Sequence, residues 1–341
     1  MKRITYISKV INPLSFQEIE NIGVISSRNN KQIDITGMLV FFQKIFYQII
    51  EGDDKKIDQL FTKIAKDPRH HDIVRLKTEY GVKERLFPHW GMKMINLDNN
   101  VDELIRPIKV LLQTVLESHS IIERYTQPTI LKILNEGTNP LILTPVSVER
   151  IILFADIISY STITEKMPTE DTLLILNTYF EICSRIILKR GGEVNKFMGD
   201  GLMAYFHTEQ ADNAIHACVE ILEELEILRE NSEESSPLKL LNSGFGLAQG
   251  SVIEGNMGSS YKTDYTIIGD AVNVASRLEG LTRVVKRSLI LSESLKQSTK
   301  ESWNFISLGE YNLKGKEIIT EVYSIDHDLV NKIKGNIFDI T

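Results

Sequence analysis

The sequence has few cysteines, no long apolar run and no excess of basic residues. Cys183 and Cys218 are the two cysteines among 341 residues, and their spacing matches no metal-binding or redox motif, so we expect both to be reduced core thiols. No apolar run approaches the ~18 residues that a membrane-spanning helix requires. Met1-Lys2-Arg3 leads into a strand pattern rather than a secretory signal sequence. These absences predict a cytoplasmic protein with no membrane partner.

The shortage of positive charge also limits the class of ligand. The formal net charge is −7, which argues against a general nucleic-acid binder because that role needs a basic surface. A nucleotide ligand would need local lysines, arginines or a bound metal. With 42% hydrophobic and 25% charged residues, the composition is that of a globular protein with about two domains.

The first hundred residues follow the pattern of a ferredoxin-like sandwich. Strand patterns cover residues 2–8, 35–42, 45–50 and 73–79, and helical spacing covers residues 15–27 and 55–65. Ser15 with Glu18 forms a capping-box signal at the first helix, and Asp67-Pro68 ends the second. The order strand, helix, strand, strand, helix, strand is typical of this fold, which leaves room for a flat ligand between its two helices.

Several residues of this region resemble the BLUF family of blue-light receptors. They are Tyr6 in the first strand, Asn30 after the first helix, Gln48 in a Tyr-Gln-Ile-Ile-Glu-Gly run, Trp90 and Met92, with Asp67 and Arg69 as further candidates. The resemblance implies a non-covalently bound flavin, FMN or FAD, held by these residues.

A tyrosine paired with a glutamine beside a flavin offers a switch without covalent chemistry. The tyrosine supplies an electron and a proton next to an excited acceptor. Since an amide has both a donor and an acceptor end, rotation or tautomerisation of Gln48 would rearrange the hydrogen bonds around the flavin.

The connector at residues 101–125 carries a heptad-like apolar seam formed by Leu104, Ile108, Leu111, Val115 and Ile122. Pro107 is tolerated only in a first turn or at a kink, so we expect the regular helix to start near Arg106. The seam could simply cover the first domain; we favour pairing with its copy in a second chain. A short helix to residue 135 and an extended or hairpin-like bridge over residues 137–145 should follow.

The remaining sequence places two aspartates where strand patterns break. Asp156 follows an apolar run. Gly199-Asp200-Gly201 is a hairpin signal that lies between two further apolar runs. Paired carboxylates at adjacent strand ends suit Mg²⁺ or Mn²⁺.

Helices are expected at 169–188, 211–229 and 269–281, a hairpin from strands 241–248 and 250–255, and a strand at 264–268. Asn273 and Arg277 are spaced i, i+4 and should share one face of the last helix.

These residues resemble the class III nucleotidyl cyclase catalytic domain. The resemblance implies two Mg²⁺ or Mn²⁺ ions per active site at Asp156, Ile157 and Asp200. It further implies that Asn273 positions the ribose and Arg277 stabilises the transition state. Its base-selecting pair falls on Lys196 and Thr266, an adenine-selecting combination, and its triphosphate-binding lysine falls on Lys314, with Lys316 as an alternative. In this family, the metal residues and the Asn–Arg pair of one site come from opposite protomers, which implies a homodimer.

Three alternatives compete with this interpretation. A guanylyl cyclase usually presents Glu and Cys where this chain has Lys196 and Thr266. A diguanylate cyclase is suggested by Gly191-Gly192-Glu193-Val194, but that segment precedes a strand and lacks the final acid. A non-enzymatic photoreceptor with a dimerising cyclase-like domain would usually lack a metal aspartate or the arginine, and both are present.

Together, the sequence predicts an α+β protein with two ferredoxin-like domains joined by a helical, coiled-coil linker. The expected segments are a BLUF domain at 1–100, a linker at 101–146, a cyclase domain at 147–326 and a tail at 327–341. The expected function is light-activated conversion of ATP to cyclic AMP in a homodimer that binds no nucleic acid.

Overall fold

The computed structural model describes residues 1–11, 14–98, 106–136, 138–165, 167–259, 261–311 and 320–331. The chain divides into two compact units, Met1–Ile142 and Leu143–Thr341. Within the described residues, no helix combines the length and the apolar character needed to cross a membrane.

Among the described residues, the first unit contains five strands and four α-helices. In chain order they are β1 (Lys2–Val10), α1 (Phe16–Gln32), β2 (Thr36–Phe42), β3 (Ile45–Gly52), α2 (Asp54–Ala65), β4 (His70–Glu79), β5 (Lys93–Asn96), α3 (Arg106–Tyr125) and α4 (Pro128–Asn135). The strand order β4-β1-β3-β2-β5 confirms the ferredoxin-like prediction for this region. The expected capping box of Ser15 and Glu18 is present at α1.

The core of the first unit lies between this sheet and the helices α1 and α2. Alternate residues of β1 and β3, such as Ile4 and Ile50, are fully buried with Ile19 of α1 and Ile57 of α2. Strand β5 was missed in the sequence, because four residues are too short for a reliable alternation pattern. It pairs in parallel with β2 and extends the sheet beyond the basic fold.

The described part of the connector helix α3 runs from Arg106 to Tyr125. Leu104 of the predicted seam and the residues just before Arg106 lie outside the described residues, so the predicted start near Arg106 stays a prediction. Leu112 of α3 packs against Val40 and Phe42 on the open face of the sheet. One face of α3 therefore covers the first unit. The seam residues Ile108, Leu111 and Ile122 are exposed. After α4, the bridge contains a short 3₁₀ helix at Pro140–Ile142, not the expected extended structure.

In the described part of the chain, the second unit contains eight strands and six α-helices. They are β6 (Val146–Ile157), α5 (Tyr160–Thr164), α6 (Thr169–Lys189), β7 (Glu193–Met198), β8 (Gly201–Phe206), α7 (Ala211–Asn231), β9 (Ser243–Gly258), β10 (Thr263–Ile268), α8 (Asp270–Val285), β11 (Leu289–Ser292), α9 (Glu293–Ser298), β12 (Phe305–Tyr311), β13 (Thr320–Ile325) and α10 (Asp328–Asn331). The sheet runs β12-β13-β11-β9-β6-β8-β7, and β10 pairs with β9.

Helices cover both faces of this sheet. One apolar cluster joins the sheet to α6 and α7 and includes the free, buried thiols of Cys183 and Cys218, which confirms the predicted core cysteines. A second cluster joins the sheet to α8 through residues such as Val274 and Leu278. The α+β prediction is therefore confirmed for this unit as well.

The predicted hairpin at residues 241–255 is wrong, because Ser243–Gly258 forms one continuous strand. All twelve residues of β6 pair with it, and Gly250 lies opposite Arg150 within the ladder. Glycines within this strand allow α8 to approach it. A Cβ at Gly246 would lie 2.2 Å from the carbonyl oxygen of Ala275, so a larger residue has no room there.

Candidate functional site

In the first unit, Tyr6 and Gln48 form a cross-strand pair at a cavity. They lie directly opposite each other in the β1–β3 register, and both are buried. The Tyr6 hydroxyl donates a hydrogen bond to Gln48 Oε1. Burial, followed by the charge of Asp67, raises the pKa of Tyr6 well above its usual range, so the phenol stays neutral and keeps its proton.

The other end of the Gln48 amide faces the segment before β5. Gln48 Nε2 donates to the sulfur of Met92 at 3.6 Å. Asn30 Nδ2, at the end of α1, donates to the carbonyl oxygen of Gly91 at 3.0 Å and so ties this segment to α1. The predicted residues Tyr6, Gln48 and Met92 therefore form one continuous hydrogen-bonded chain.

The cavity lies between α1 and α2 on the helical side of the sheet. Its walls are formed by Tyr6, Ser8, Ile22, Ser26, Asn30, Leu39, Phe46, Gln48, Leu60, Ile64, Asp67, Arg69 and His70. Its apolar walls and polar rim suit a flat, heteroaromatic ligand. Ser8 Oγ and His70 Nδ1 are buried there, and neither has a hydrogen-bond partner among the described residues. Two unsatisfied polar atoms in such a wall fit a ligand with polar edges.

Asp67 and Arg69 lie at the rim of the cavity and bind each other. Arg69 Nε donates to both Asp67 oxygens, at 2.9 and 3.1 Å, and this hydrogen bonding lowers the pKa of Asp67 to about 2. Trp90 is not brought to the cavity: its side chain is 41% exposed, and its ring stacks on Phe87 with centroids 5.5 Å apart.

In the second unit, Asp156 and Asp200 come together where β6 meets the β7–β8 turn. Asp156 lies opposite Gly201 in the β6–β8 register, and Gly199 adopts a φ of 65° in the turn. A Cβ at Gly201 would lie 2.9 Å from Asp156 Oδ1, so this glycine makes room for the carboxylate. Burial and the neighbouring charge of Asp156 raise the pKa of Asp200 to about 6. Two carboxylates that resist joint ionisation favour a bound cation.

The sequence did not reveal Arg283 and Glu279, which complete this cluster. Arg283 Nη2 donates to Asp156 Oδ2 at 2.6 Å, and Arg283 Nη1 donates to Glu279 Oε1 at 3.0 Å. Burial raises the pKa of Glu279 to about 7. The signal available in the sequence was the Glu-x-x-x-Arg spacing after Arg277, which predicts a helical ion pair but not its contact with Asp156.

The donor set suits a hard cation whose shell is completed by a ligand. In the described part of the chain, no group of three or more His, Cys, Asp or Glu side chains could hold a metal ion. Two carboxylates leave coordination positions for phosphate oxygens and water, which is how Mg²⁺ is usually held. The Ile157 side chain is buried in the apolar core, so this predicted ligand could contribute only its main-chain carbonyl.

Asn273 and Arg277 lie on α8, which carries Arg283 six residues further on. At 100° per residue, Asn273 and Arg277 are about 40° apart around the helix axis, whereas Arg283 is about 120° from Arg277. Asn273 is exposed and Arg277 is half-buried. Asn273 and Arg277 therefore share one side of α8, and Arg283, which contacts Asp156, projects from the helix in a different direction.

The predicted base-selecting residues lie on β7 and β10. Lys196 is half-buried on β7, and the Thr266 hydroxyl on β10 is buried. Lys314 and its alternative Lys316 lie outside the described residues.

Comparisons with known proteins identify both domains. Residues 146–326 match the adenylate and guanylate cyclase catalytic domain, and residues 1–93 match BLUF, described as sensors of blue light using FAD. A solved bacterial light-regulated adenylyl cyclase superposes with a TM-score of 0.90 at 46% identity, covering 99% of this chain and 97% of the other. The chain belongs to the BLUF-linked adenylate and guanylate cyclase family.

Curated members of this family are larger proteins. The alpha subunit of the photoactivated adenylate cyclase of Euglena gracilis is 32% identical over 291 residues, which is 85% of this chain and 28% of that protein. The beta subunit from Euglena longa is 31% identical, over 85% of this chain and 34% of its own length. The chain thus spans about a third of the length of these relatives. Class III cyclase domains use Mg²⁺ or Mn²⁺, in agreement with the carboxylate pair.

Proposed function

We propose that this protein is a blue-light-activated adenylyl cyclase that converts ATP to 3′,5′-cyclic AMP and diphosphate. The observation that carries the proposal is the side-by-side placement of Asp156 and Asp200 at adjacent strand ends. A cyclase-like domain kept only for dimerisation would have no need to hold the Asp156 carboxylate close enough to raise the pKa of Asp200.

At this site, Asp156 and Asp200 would hold two divalent cations together with the main-chain carbonyl of Ile157. The cations would activate the ribose 3′-hydroxyl and neutralise the phosphates. Arg283 holds Asp156 in place and offsets its charge before cations bind. Lys314 is proposed to bind the triphosphate.

The substrate is proposed to be ATP. Lys196 and Thr266 present an ammonium and a hydroxyl, which suit the ring nitrogen and the exocyclic amino group of adenine. GTP is the competing substrate, and the acidic and thiol side chains typical of guanine selection are absent from both positions.

The active unit is proposed to be a homodimer with composite sites. Asn273 and Arg277 project from α8 in a different direction from Arg283, which contacts Asp156 of its own chain, and this supports their use at the carboxylates of a partner. The exposed seam residues Ile108, Leu111 and Ile122 of α3 offer an apolar surface for a second copy. In this arrangement, Asn273 orients the ribose and Arg277 stabilises the transition state.

Light control is proposed to start at Tyr6 and Gln48, with FAD in the cavity of the first unit. When bound, the flavin would supply the excited electron acceptor. Tyr6 is a neutral donor whose proton is directed at Gln48. Gln48 links Tyr6 to Met92 through the two ends of its amide, so turning the amide would change both hydrogen bonds together. The segment 101–125 is proposed to carry this change towards the cyclase domain.

A light-and-dark assay of the purified chain tests the proposal. ATP and GTP would be supplied separately with Mg²⁺, in darkness and under blue light. We expect cyclic AMP formation that rises under illumination, with little cyclic GMP. A rate that ignores light would defeat the coupling, and absence of any cyclic nucleotide would favour the partner-binding alternative.

A further inference from the structure

Strand β7 contains a β-bulge at Asn195, directly before the predicted base-selecting lysine. Val194 pairs with Ala204 and Lys196 with Met203, so Asn195 has no opposite residue on β8. Bulges redirect the side chain of the extra residue and often occur next to active sites. Here the bulge turns an amide inwards, since Asn195 is only 4% exposed.

The buried amide meets the second predicted base-selecting residue. Thr266 Oγ1 donates a hydrogen bond to Asn195 Oδ1 at 3.4 Å, and the contact is buried. Thr266 is 7% exposed, so little water is available as an alternative partner. The contact joins β7 to β10 across residues 71 positions apart in the sequence.

This hydrogen bond is longer than the roughly 2.5–3.0 Å typical of an O–H···O bond, and it biases what the hydroxyl can offer to a ligand. A threonine hydroxyl has one proton and two lone pairs. Once the proton is committed to Asn195, the oxygen can only accept. The 6-amino group of adenine donates a hydrogen bond, whereas the 6-oxo group of guanine or hypoxanthine accepts one. An acceptor-only hydroxyl therefore attracts the first group and repels the second.

We propose that Asn195 is a specificity-determining residue that holds Thr266 as a hydrogen-bond acceptor, so that the cyclase selects 6-aminopurine over 6-oxopurine nucleotides. Asn195 acts through Thr266 and is a positioning residue. The inference rests on the proposed adenylyl cyclase function and adds a member to the Lys196–Thr266 pair. Without the Asn195 acceptor, the hydroxyl is free to rotate and donate to a 6-oxo group.

The experiment compares ATP with inosine triphosphate, which has a 6-oxo group but lacks the 2-amino group of GTP. The ratio of kcat/KM for the two nucleotides is measured with the full chain under continuous blue light. Asn195→Leu removes the acceptor at similar volume, and we expect this ratio to fall about tenfold or more, as when a buried hydrogen-bonding group loses its proper partner. Any discrimination due to Lys196 is common to all variants and cancels in the comparison.

Two further variants separate specificity from stability. Asn195→Asp has only acceptors, so the ratio should stay within about twofold of the unchanged protein. Asn195→Ser loses the reach to Thr266 and serves if the leucine variant does not fold. In a Thr266→Val background there is no hydroxyl to hold, so Asn195→Leu should have no further effect on the ratio.

The outcomes distinguish this inference from the function on which it rests. If the unchanged protein prefers ATP but Asn195→Leu or Asn195→Ser lowers kcat/KM equally for both nucleotides, Asn195 has only a structural role. An unchanged ATP-to-inosine-triphosphate ratio in these variants also overturns the inference. So does a fall of this ratio by Asn195→Leu that is as large in the Thr266→Val background as in the unchanged protein. If the unchanged protein makes no cyclic AMP, the proposed function itself fails.

Discussion

Burial determines how the reactive side chains of both units behave. Tyr6 keeps its proton because its phenol is buried, and Asp200 holds its proton more tightly because it is partly buried beside Asp156. In each case the sequence identified the residue, whereas its ionisation depends on neighbours that come from distant parts of the chain.

Replacing the buried phenol should uncouple light from catalysis. In Tyr6→Phe, the donor to Gln48 is removed while the ring packing against Phe61, with centroids 5.3 Å apart, is retained. We expect cyclase activity to persist but to be the same in light and darkness. The measurement is the light-to-dark ratio of cyclic AMP formation.

The matched control is Tyr47→Phe, one residue from Gln48 on the other side of β3. Tyr47 packs in the cluster with Val40 and Phe42, away from the cavity. The light response of the Tyr47→Phe protein should therefore be unchanged. A Tyr6→Phe protein that still responds to light would remove Tyr6 from the switch.

Asp200→Asn should abolish activity yet stabilise the metal-free protein. The folded pKa of about 6 exceeds the ordinary value of 3.8, so the folded state binds the proton more tightly than the unfolded state does. The cost of the charged carboxylate is therefore complete above the folded pKa and absent below the unfolded one. With EDTA present, the Tm of the variant should exceed that of the unchanged protein at about pH 7.5, and the difference should shrink towards about pH 4.

The same two proteins should respond differently when Mg²⁺ is added. Added Mg²⁺ should raise the Tm of the unchanged protein, because ligands of the folded state stabilise it, and should have less effect on Asp200→Asn. The exposed Asp264→Asn serves as a control with no expected change. A variant that is less stable at neutral pH would contradict the proposed repulsion between Asp156 and Asp200.

At the scale of elements, the packing of α8 on β9 depends on glycine. At Gly246, a Cβ would lie 2.2 Å from both the Ala275 carbonyl oxygen and the Glu279 amide nitrogen. Gly246→Ala should therefore displace α8, lower the free energy of unfolding of the cyclase domain by about 1–3 kcal/mol, and reduce activity.

Gly280, on the exposed side of the same helix, is the control for this packing. Nothing lies within 4 Å of a Cβ built there, so Gly280→Ala should stabilise the protein by about 0.5–1 kcal/mol through helix propensity. Denaturant unfolding measures both variants. Equal effects of the two substitutions would show that helix propensity, not close packing, governs these positions.

The apolar face of α3 should carry the dimer contact. Leu111→Lys with Ile122→Lys places two charges on the exposed seam, and we expect a shift from dimer to monomer together with loss of cyclase activity. Gln113→Lys, about 160° from Leu111 around the helix, should leave the dimer intact. Sedimentation velocity reports the mass, and an unchanged dimer in the double variant would assign the contact to another surface.

Local signals predicted some elements well and others poorly. Gly199-Asp200-Gly201 defined the β7–β8 turn because its conformation is set by the residues in it. The break predicted between residues 248 and 250 was wrong because the role of Gly250 depends on a helix that follows later in the chain: a Cβ built at Gly250 would lie 3.3 Å from Ala271 Cβ of α8. Asn195 was overlooked, since a bulge is defined by register with β8 and leaves no distinct pattern in the sequence.

At the scale of the whole molecule, composite sites predict complementation between two inactive variants. Asp200→Asn lacks a metal carboxylate, and Arg277→Ala lacks the transition-state group, with an expected loss of about 100-fold or more in kcat. In a heterodimer of the two, one site has both defects and the other has neither. Random mixing should therefore restore about a quarter of the original activity, because half of the dimers are mixed and each has one intact site of two.

The controls for this mixture are homodimers of each variant, prepared in the same way. Cyclic AMP formation under blue light, after co-expression or subunit exchange, is the measurement. Activity no higher than that of the separate variants would mean that each chain builds its own site.

The ion pair between Arg283 and Asp156 sets a condition on when the cyclase can operate. A guanidinium tethered beside the carboxylate remains at high local concentration however dilute the protein becomes. Incoming magnesium must outcompete it. In the proposed cyclase, the ion pair would therefore raise the concentration of free Mg²⁺ needed to fill the site, and at lower concentrations illumination alone would yield little cyclic AMP.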